Sequence, residues 1–274
     1  MRRKSILTIS ILSIVLFYNC SNPSSDSDKI VPEVDCLDII LDTTYSKILT
    51  GTAGYDITKA SDCSYIISGS AGNTILMKID QFGNEVWSSS FDELSGSHWG
   101  KSVNPTNDGG YIVGTFVNPK HPSYGYSFIF KTNANGEIEW KRELKYKSGK
   151  TKVIHFIKDI IQTNDGDFVA VGYTSGDSGN KIKGQGFMTK INKDDGSEKW
   201  MKRFGSNVCV FDTLDSVLED NENNLVAVGK YEKPCPKYKC HHGYACGDVW
   251  FLKVKPADGS KVFEKRHAYK RSAS

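Results

Sequence analysis

The chain has 274 residues, 38% of them hydrophobic and 24% charged, and a formal charge of +3. Arg2, Arg3 and Lys4 account for that whole excess, so the remaining body is near neutral, and global charge gives no case for a nucleic-acid partner. A body of this size is large enough to bury one sizeable core.

The N-terminus reads as an export signal. Behind the three basic residues, Ile6 to Tyr18 form a mostly apolar run of thirteen residues, short of the ~20 needed to span a bilayer. Cys20 follows, with the polar tether Ser21-Asn22-Pro23-Ser24-Ser25-Asp26-Ser27-Asp28 behind it. A cysteine at this boundary resembles a bacterial lipoprotein, although Phe17-Tyr18-Asn19 departs from the usual cleavage box of Leu and small residues. The resemblance implies cleavage before Cys20 and lipid attachment to it. Residues 1–19 are then the signal, 20–36 the lipidated cysteine and its tether, and 37–274 the folded region. It also implies a partner membrane reached through the anchor, in the bacterial cell envelope and at the outer membrane.

The folded region repeats itself. An apolar stretch around Ile39-Ile40-Leu41 to Ile48 comes first and has the look of the last strand of a missing unit. Four units follow, at about 51–96, 97–150, 151–209 and 210–270. Each carries an apolar strand, at Ile57, Val103, Ile160 and Val217, and then an Asp-Gly type turn. The turn reads Asp62-Cys63-Ser64-Tyr65, Asp108-Gly109-Gly110-Tyr111, Asp165-Gly166-Asp167-Phe168 and, more weakly, Glu222-Asn223-Asn224-Leu225. A Lys-centred strand comes next, at Lys78, Lys131, Lys190 and Lys253. A Gly turn and a last strand marked by Trp87, Trp140, Trp200 and Phe263 close the unit. Asp-Gly between apolar runs favours positive φ and tight hairpins, so each unit predicts four short antiparallel strands. No window holds a helical period, which makes the chain all-β.

A lone four-stranded unit leaves both faces open, whereas units arranged radially cover one another. That predicts a β-propeller of four recognisable blades plus an extra N-terminal strand; either that strand pairs elsewhere or the chain is a partial propeller. The recurring aromatics are then wedges between blades, each ring burying roughly 150–250 Å². The phrases Asp-Gly-Gly-Tyr-Ile-Val and Lys-x-Asp/Asn…Gly…Trp resemble propeller repeats of bacterial envelope and secreted proteins, and more distantly quinoprotein-like blades. The resemblance covers about residues 39–270 and implies the fold; function it leaves open.

With Cys20 lipidated, Cys36, Cys63, Cys209, Cys235, Cys240 and Cys246 remain, an even number that favours disulfides in an exported protein, with pairing undetermined. The segment from Cys235 through Cys240, His241 and His242 to Cys246 has the residue types of a zinc site, but its spacing matches no standard pattern, and disulfides are the simpler reading. No metal and no cofactor are expected.

The linker between the second and third strands grows along the chain. Tyr65 to Lys78 is 13 residues, Tyr111 to Lys131 is 20, Phe168 to Lys190 is 22 and Leu225 to Lys253 is 28. In a propeller these insertions emerge at one end, the expected binding face. They would place Lys120, His121 and Tyr124, then Lys181 and Lys183, then Lys237, Tyr238, Lys239, His241 and His242 there. The aligned Asp56, Ser102, Asp159 and Ser216 would line an axial channel. The expectation is a non-enzymatic envelope lipoprotein that binds a protein or glycan through this face. A quinoprotein-like oxidoreductase and an outer-membrane assembly scaffold are the alternatives.

Overall fold

The computed structural model describes residues 52–91, 97–118, 125–144, 146–148, 151–175, 184–205, 212–233 and 246–268. All of them lie in the unit Val34–Ser274, and every regular element among them is a strand. The first sheet is β1 (Ala53–Lys59), β2 (Tyr65–Ser70), β3 (Thr74–Ile79) and β4 (Glu85–Phe91), hydrogen-bonded in that order. The second is β5 (Ser97–Pro105), β6 (Tyr111–Asn118), β7 (Tyr126–Thr132) and β8 (Ile138–Glu143). The third contains β9 (Tyr146–Ser148), β10 (Thr151–Gln162), β11 (Phe168–Ser175), β12 (Gly186–Ile191) and β13 (Glu198–Phe204), and the fourth β14 (Thr213–Glu219), β15 (Leu225–Lys233), β16 (Cys246–Val254) and β17 (Lys261–Ala268).

These four sheets are propeller blades. Their first long strands adjoin in sequence, β1 on β5, β5 on β10 and β10 on β14, and a separate hydrophobic cluster fills each gap between consecutive blades. No comparable packing joins β14 to β1 among the described residues. The extra N-terminal strand expected around Ile39 to Ile48 lies outside them. The strand that does extend a blade is β9, paired with the start of β10 through Tyr146↔Val153 to Ser148↔Thr151.

Both repeated phrases have a mechanical role, because the Asp of the first hairpin meets the Lys of the third strand in every blade. Lys78 pairs with Asp62 at 2.6 Å, and Lys131 with Asp108 at 2.9 Å and Glu139 at 2.8 Å. Lys190 pairs with Asp165, and Lys253 with Asp220 at 2.7 Å and Glu222 at 2.9 Å. Lys131 and Lys190 are buried, so an ammonium there requires a partner. Burial alone would raise the carboxyls of Asp62, Asp108 and Asp165. The facing lysines, the Ser64, Thr106 and Thr163 hydroxyls and a turn amide outweigh it and hold all three below the usual carboxylate range. The residue after each turn acid has positive φ: Cys63 at 65°, Gly109 at 85°, Gly166 at 86° and Asn223 at 60°. Asn tolerates this region, whereas Cys63 holds it against its own preference, and Cys63 is disulfide-bonded.

The aromatic of each last strand reaches the next blade's Gly turn. Trp87 packs on Gly136, Trp140 on Gly196 and Trp200 on Gly259, where an added Cβ would stand 2.6, 2.6 and 2.8 Å from the indole. The indole N–H of Trp140 donates to the Lys193 carbonyl at 3.0 Å, and that of Trp200 to the Pro256 carbonyl at 3.0 Å. Glycine is therefore required twice over, for its positive φ and for the room it leaves an indole. Gly196→Ala should cost about 3 kcal/mol in urea unfolding, whereas Gly72→Ala, with positive φ but open space, should cost about 1 kcal/mol. Equal losses would remove the wedge from the account.

Between blades two and three, His155 is fully buried with its ring edge-on to Phe187 at 4.9 Å. Burial, helped by the nearby Arg203 charge, lowers its pKa from 6.5 to about 4. The unfolded chain therefore takes up a proton that the fold refuses, so stability is complete above pH 6.5 and declines as pH falls toward about 4. The loss amounts to on the order of 3 kcal/mol. Urea midpoints of the wild type should fall across this window and those of His155→Gln should stay flat; parallel profiles would contradict it.

Candidate functional site

Each blade breaks its first-strand register at the same place. The shifts fall between Gly54 and Asp56, Gly100 and Ser102, Ile157 and Asp159, and Leu214 and Ser216. The extra residue at each bulge is Tyr55, Lys101, Lys158 or Asp215. A bulge turns one side chain out of the pleat and is a recurrent way of aiming it at a site. Four bulges at one level set these side chains beside one another in blade order. The Lys101 ammonium stands 4.3 Å from the centre of the Tyr55 ring and 5.8 Å from that of Trp99. Lys158 lies 5.8 Å from the Tyr173 ring centre and 4.0 Å from the Asp215 carboxylate.

The electrostatics follow from this crowding. Partial burial and the repulsion of Lys158 push the Lys101 pKa down. Burial, with the negative charge of Asp215, pushes the Tyr173 phenol up. Lys101 makes no ion pair among the described residues; its charge is met by the faces of aromatic rings.

Next to the bulges runs a ladder of rings. Trp99 faces Phe116 across β5 and β6, and Phe156 faces Tyr173 across β10 and β11. The rings stack in sequence: Trp99–Phe116 at 5.6 Å and 12° between planes, Phe116–Phe156 at 4.4 Å and 27°, and Phe156–Tyr173 at 4.6 Å and 6°. All four rings are half-buried. The matching pairs are Ala53↔Ser70 in blade one and Thr213↔Lys230 in blade four, so the ladder belongs to the two middle blades. Phe116 and Tyr173 each lie two residues before the ends of β6 and β11, at Asn118 and Ser175, the strands that precede the long second-to-third-strand insertions of these blades. The ladder therefore stands at the end of the propeller from which those insertions leave.

The aligned Asp56, Ser102, Asp159 and Ser216 tie blades together at the axis. Asp56 accepts the Val103 amide of blade two at 2.8 Å. Asp159 accepts the Ser102 hydroxyl at 3.2 Å from one side, and the Ser216 hydroxyl at 3.0 Å and Val217 amide at 2.9 Å from the other. Each of these bonds reaches from one blade to the next. A cleft between blades one and two, among Phe91, His98, Phe128 and Phe130, has room for about one water molecule.

The expected binding-face residues Lys120, His121, Tyr124, Lys181, Lys183, Lys237, Tyr238, Lys239, His241 and His242 lie outside the described residues, as do Cys20, Cys36, Cys209, Cys235 and Cys240. Cys246 opens β16. The ladder and the bulge residues were missed because the search followed insertions. Their signal was present: an aromatic in each of two adjacent strands, in two consecutive units, with a Lys two positions after the first.

The sequence matches no family model and no curated protein. Similar solved structures exist at low identity. A GH93 α-L-arabinofuranosidase of Fusarium graminearum, in complex with arabinobiose, is 12% identical with a TM-score of 0.51, over 80% of this chain and 68% of that one. A quinohemoprotein alcohol dehydrogenase from Comamonas testosteroni is 12% identical with a TM-score of 0.46, over 79% of this chain. A protein of unknown function from Bacteroides caccae is 11% identical with a TM-score of 0.35, over 81% of this chain and 84% of that one. The chain spans only 35% of the quinohemoprotein's length. The arabinofuranosidase likeness supports the propeller fold and, at that identity, nothing beyond it.

Because Asp159 serves both of its neighbours and Asp56 only one, their removal should differ. Asp159→Ala should cost roughly 2 kcal/mol and Asp56→Ala roughly 1 kcal/mol in chemical denaturation. The reverse order would show that the axial bonds do not join the blades.

Proposed function

We propose that the chain is a non-enzymatic binding propeller of the bacterial envelope, anchored through a lipid on Cys20, that holds an acidic glycan at the insertion end of blades two and three. The half-buried ladder Trp99–Phe116–Phe156–Tyr173, edged by Lys101 and Lys158, is the observation that carries this reading. Aromatic faces suit the C–H faces of pyranose rings, which lose little hydration when they stack. Ammonium groups beside them suit a carboxylate or sulfate on the same sugar. Among the described residues Lys101 makes no ion pair, so an incoming anion takes its charge without displacing any carboxylate there. Lys158 is partly engaged by Asp215 and contributes less.

Titration with acidic oligosaccharides, followed through tryptophan fluorescence, tests the reading. Trp99→Ala and Lys101→Ala should each weaken binding about tenfold, roughly 1.4 kcal/mol, with the far-ultraviolet spectrum unchanged. Cys20→Ala should release the protein from the membrane fraction without changing affinity. Acidic and neutral oligosaccharides that both fail to bind would overturn the glycan assignment, and a quinone absorbance band in the purified protein would favour the oxidoreductase alternative.

A further inference from the structure

The row of blades has two end flanks, and each exposes apolar side chains whose counterparts in the other blades are buried. On the blade-one flank, Ile57 is 57% exposed, while its counterparts Val103, Ile160 and Val217 are 1%, 0% and 5% exposed. Tyr65 is 37% exposed where Tyr111, Phe168 and Leu225 are at most 2%. On the blade-four flank, Val228 is 41% exposed where Val171 is 0%, and Phe263, in the place of the wedging tryptophans, is 45% exposed. Within the chain, the surface bearing the wedge receives the following blade's Ile57-type and Tyr65-type side chains three times over: at Trp87 with Tyr111, at Trp140 with Phe168, and at Trp200 with Leu225. Blade four offers the first half of that contact, and blade one the second.

We infer that the blade-four flank of one chain docks on the blade-one flank of a second copy, head to tail. The axial residues support the same order. They alternate Asp56, Ser102, Asp159, Ser216, and at the junction of blades two and three the Ser102 hydroxyl donates to Asp159. A second copy placed after blade four sets its Asp56 beside Ser216 and continues the alternation. The Gly83 turn, with φ at 77° like Gly136 at 78°, Gly196 at 70° and Gly259 at 67°, becomes the seat for Phe263. Because the contact is made by two different surfaces, each copy retains one of each, and two copies related by a two-fold axis satisfy both. The product is a ring of about eight blades, within the range known for propellers. The inference is independent of the glycan assignment, since the flanks lie at the ends of the row and the ladder in its middle.

Light scattering on the purified full-length chain, at roughly 10–50 μM, tests it with Ile57→Glu and Val228→Glu. Both positions are exposed in the single chain, so both variants should fold, as circular dichroism would verify. The wild type should have twice the mass of a single chain, and each variant should be monomeric. An equimolar mixture should regain dimers, because it restores one intact pair of flanks. A monomeric wild type overturns the inference, and residues 39–48 of the same chain covering blade one would produce that result. A dimer lost only in Ile57→Glu overturns it as well, in favour of two blade-one flanks facing each other.

Discussion

The contact between an indole and a glycine turn one blade away governs this molecule. No blade can bury its own flanks, so the fold exists only as far as consecutive blades find each other. Trp87, Trp140 and Trp200 supply the area, their Gly partners the room, and the indole N–H groups of Trp140 and Trp200 a fixed seat on a backbone carbonyl. The axial carboxylates repeat the linkage at the other end of each blade, through Asp56 to Val103 and Asp159 to Val217. Together these contacts set the spacing and register of the first strands, and through them the level at which the four bulges align.

The Lys–Asp pairs act within a blade rather than between blades. Each joins the first hairpin to the third strand, and in blades two and three the hairpin cannot slip without exposing or orphaning a buried ammonium. Their contribution to specificity therefore exceeds what an exposed pair would give.

Much of this architecture could be read from the sequence, because blade stacking imposes the same demands on every unit. The recurring aromatics, the Asp-Gly turns and the Lys strands followed directly from that constraint. The meaning of the repeated Lys did not, since Asp108 and Lys131 are joined only once β6 and β7 are paired in register. The site was less accessible for the same reason. Trp99 and Phe116 are seventeen residues apart, and a period-two pattern cannot show that they face each other. A bulge leaves no residue-type signature either: Tyr, Lys, Lys and Asp occupy the four positions, selected for what they present rather than for how they fold. The axial Asp and Ser residues were aligned from the sequence, but their bonds were not legible there, because the partners are amides and hydroxyls of the neighbouring blade.

The middle of the row thus differs chemically from its ends. Blades two and three have both flanks covered and hold an aromatic platform, while among the described residues the outer flanks of blades one and four meet no further blade. The account's central claim is that ligand is held on that platform, and lysine footprinting addresses it most directly. In limited reductive methylation read by mass spectrometry, an acidic oligosaccharide should suppress modification of Lys101 and Lys158 and leave the exposed Lys193, Lys202 and Lys265 unchanged. Protection confined to Lys237 and Lys239, with Lys101 and Lys158 reacting as before, would contradict it.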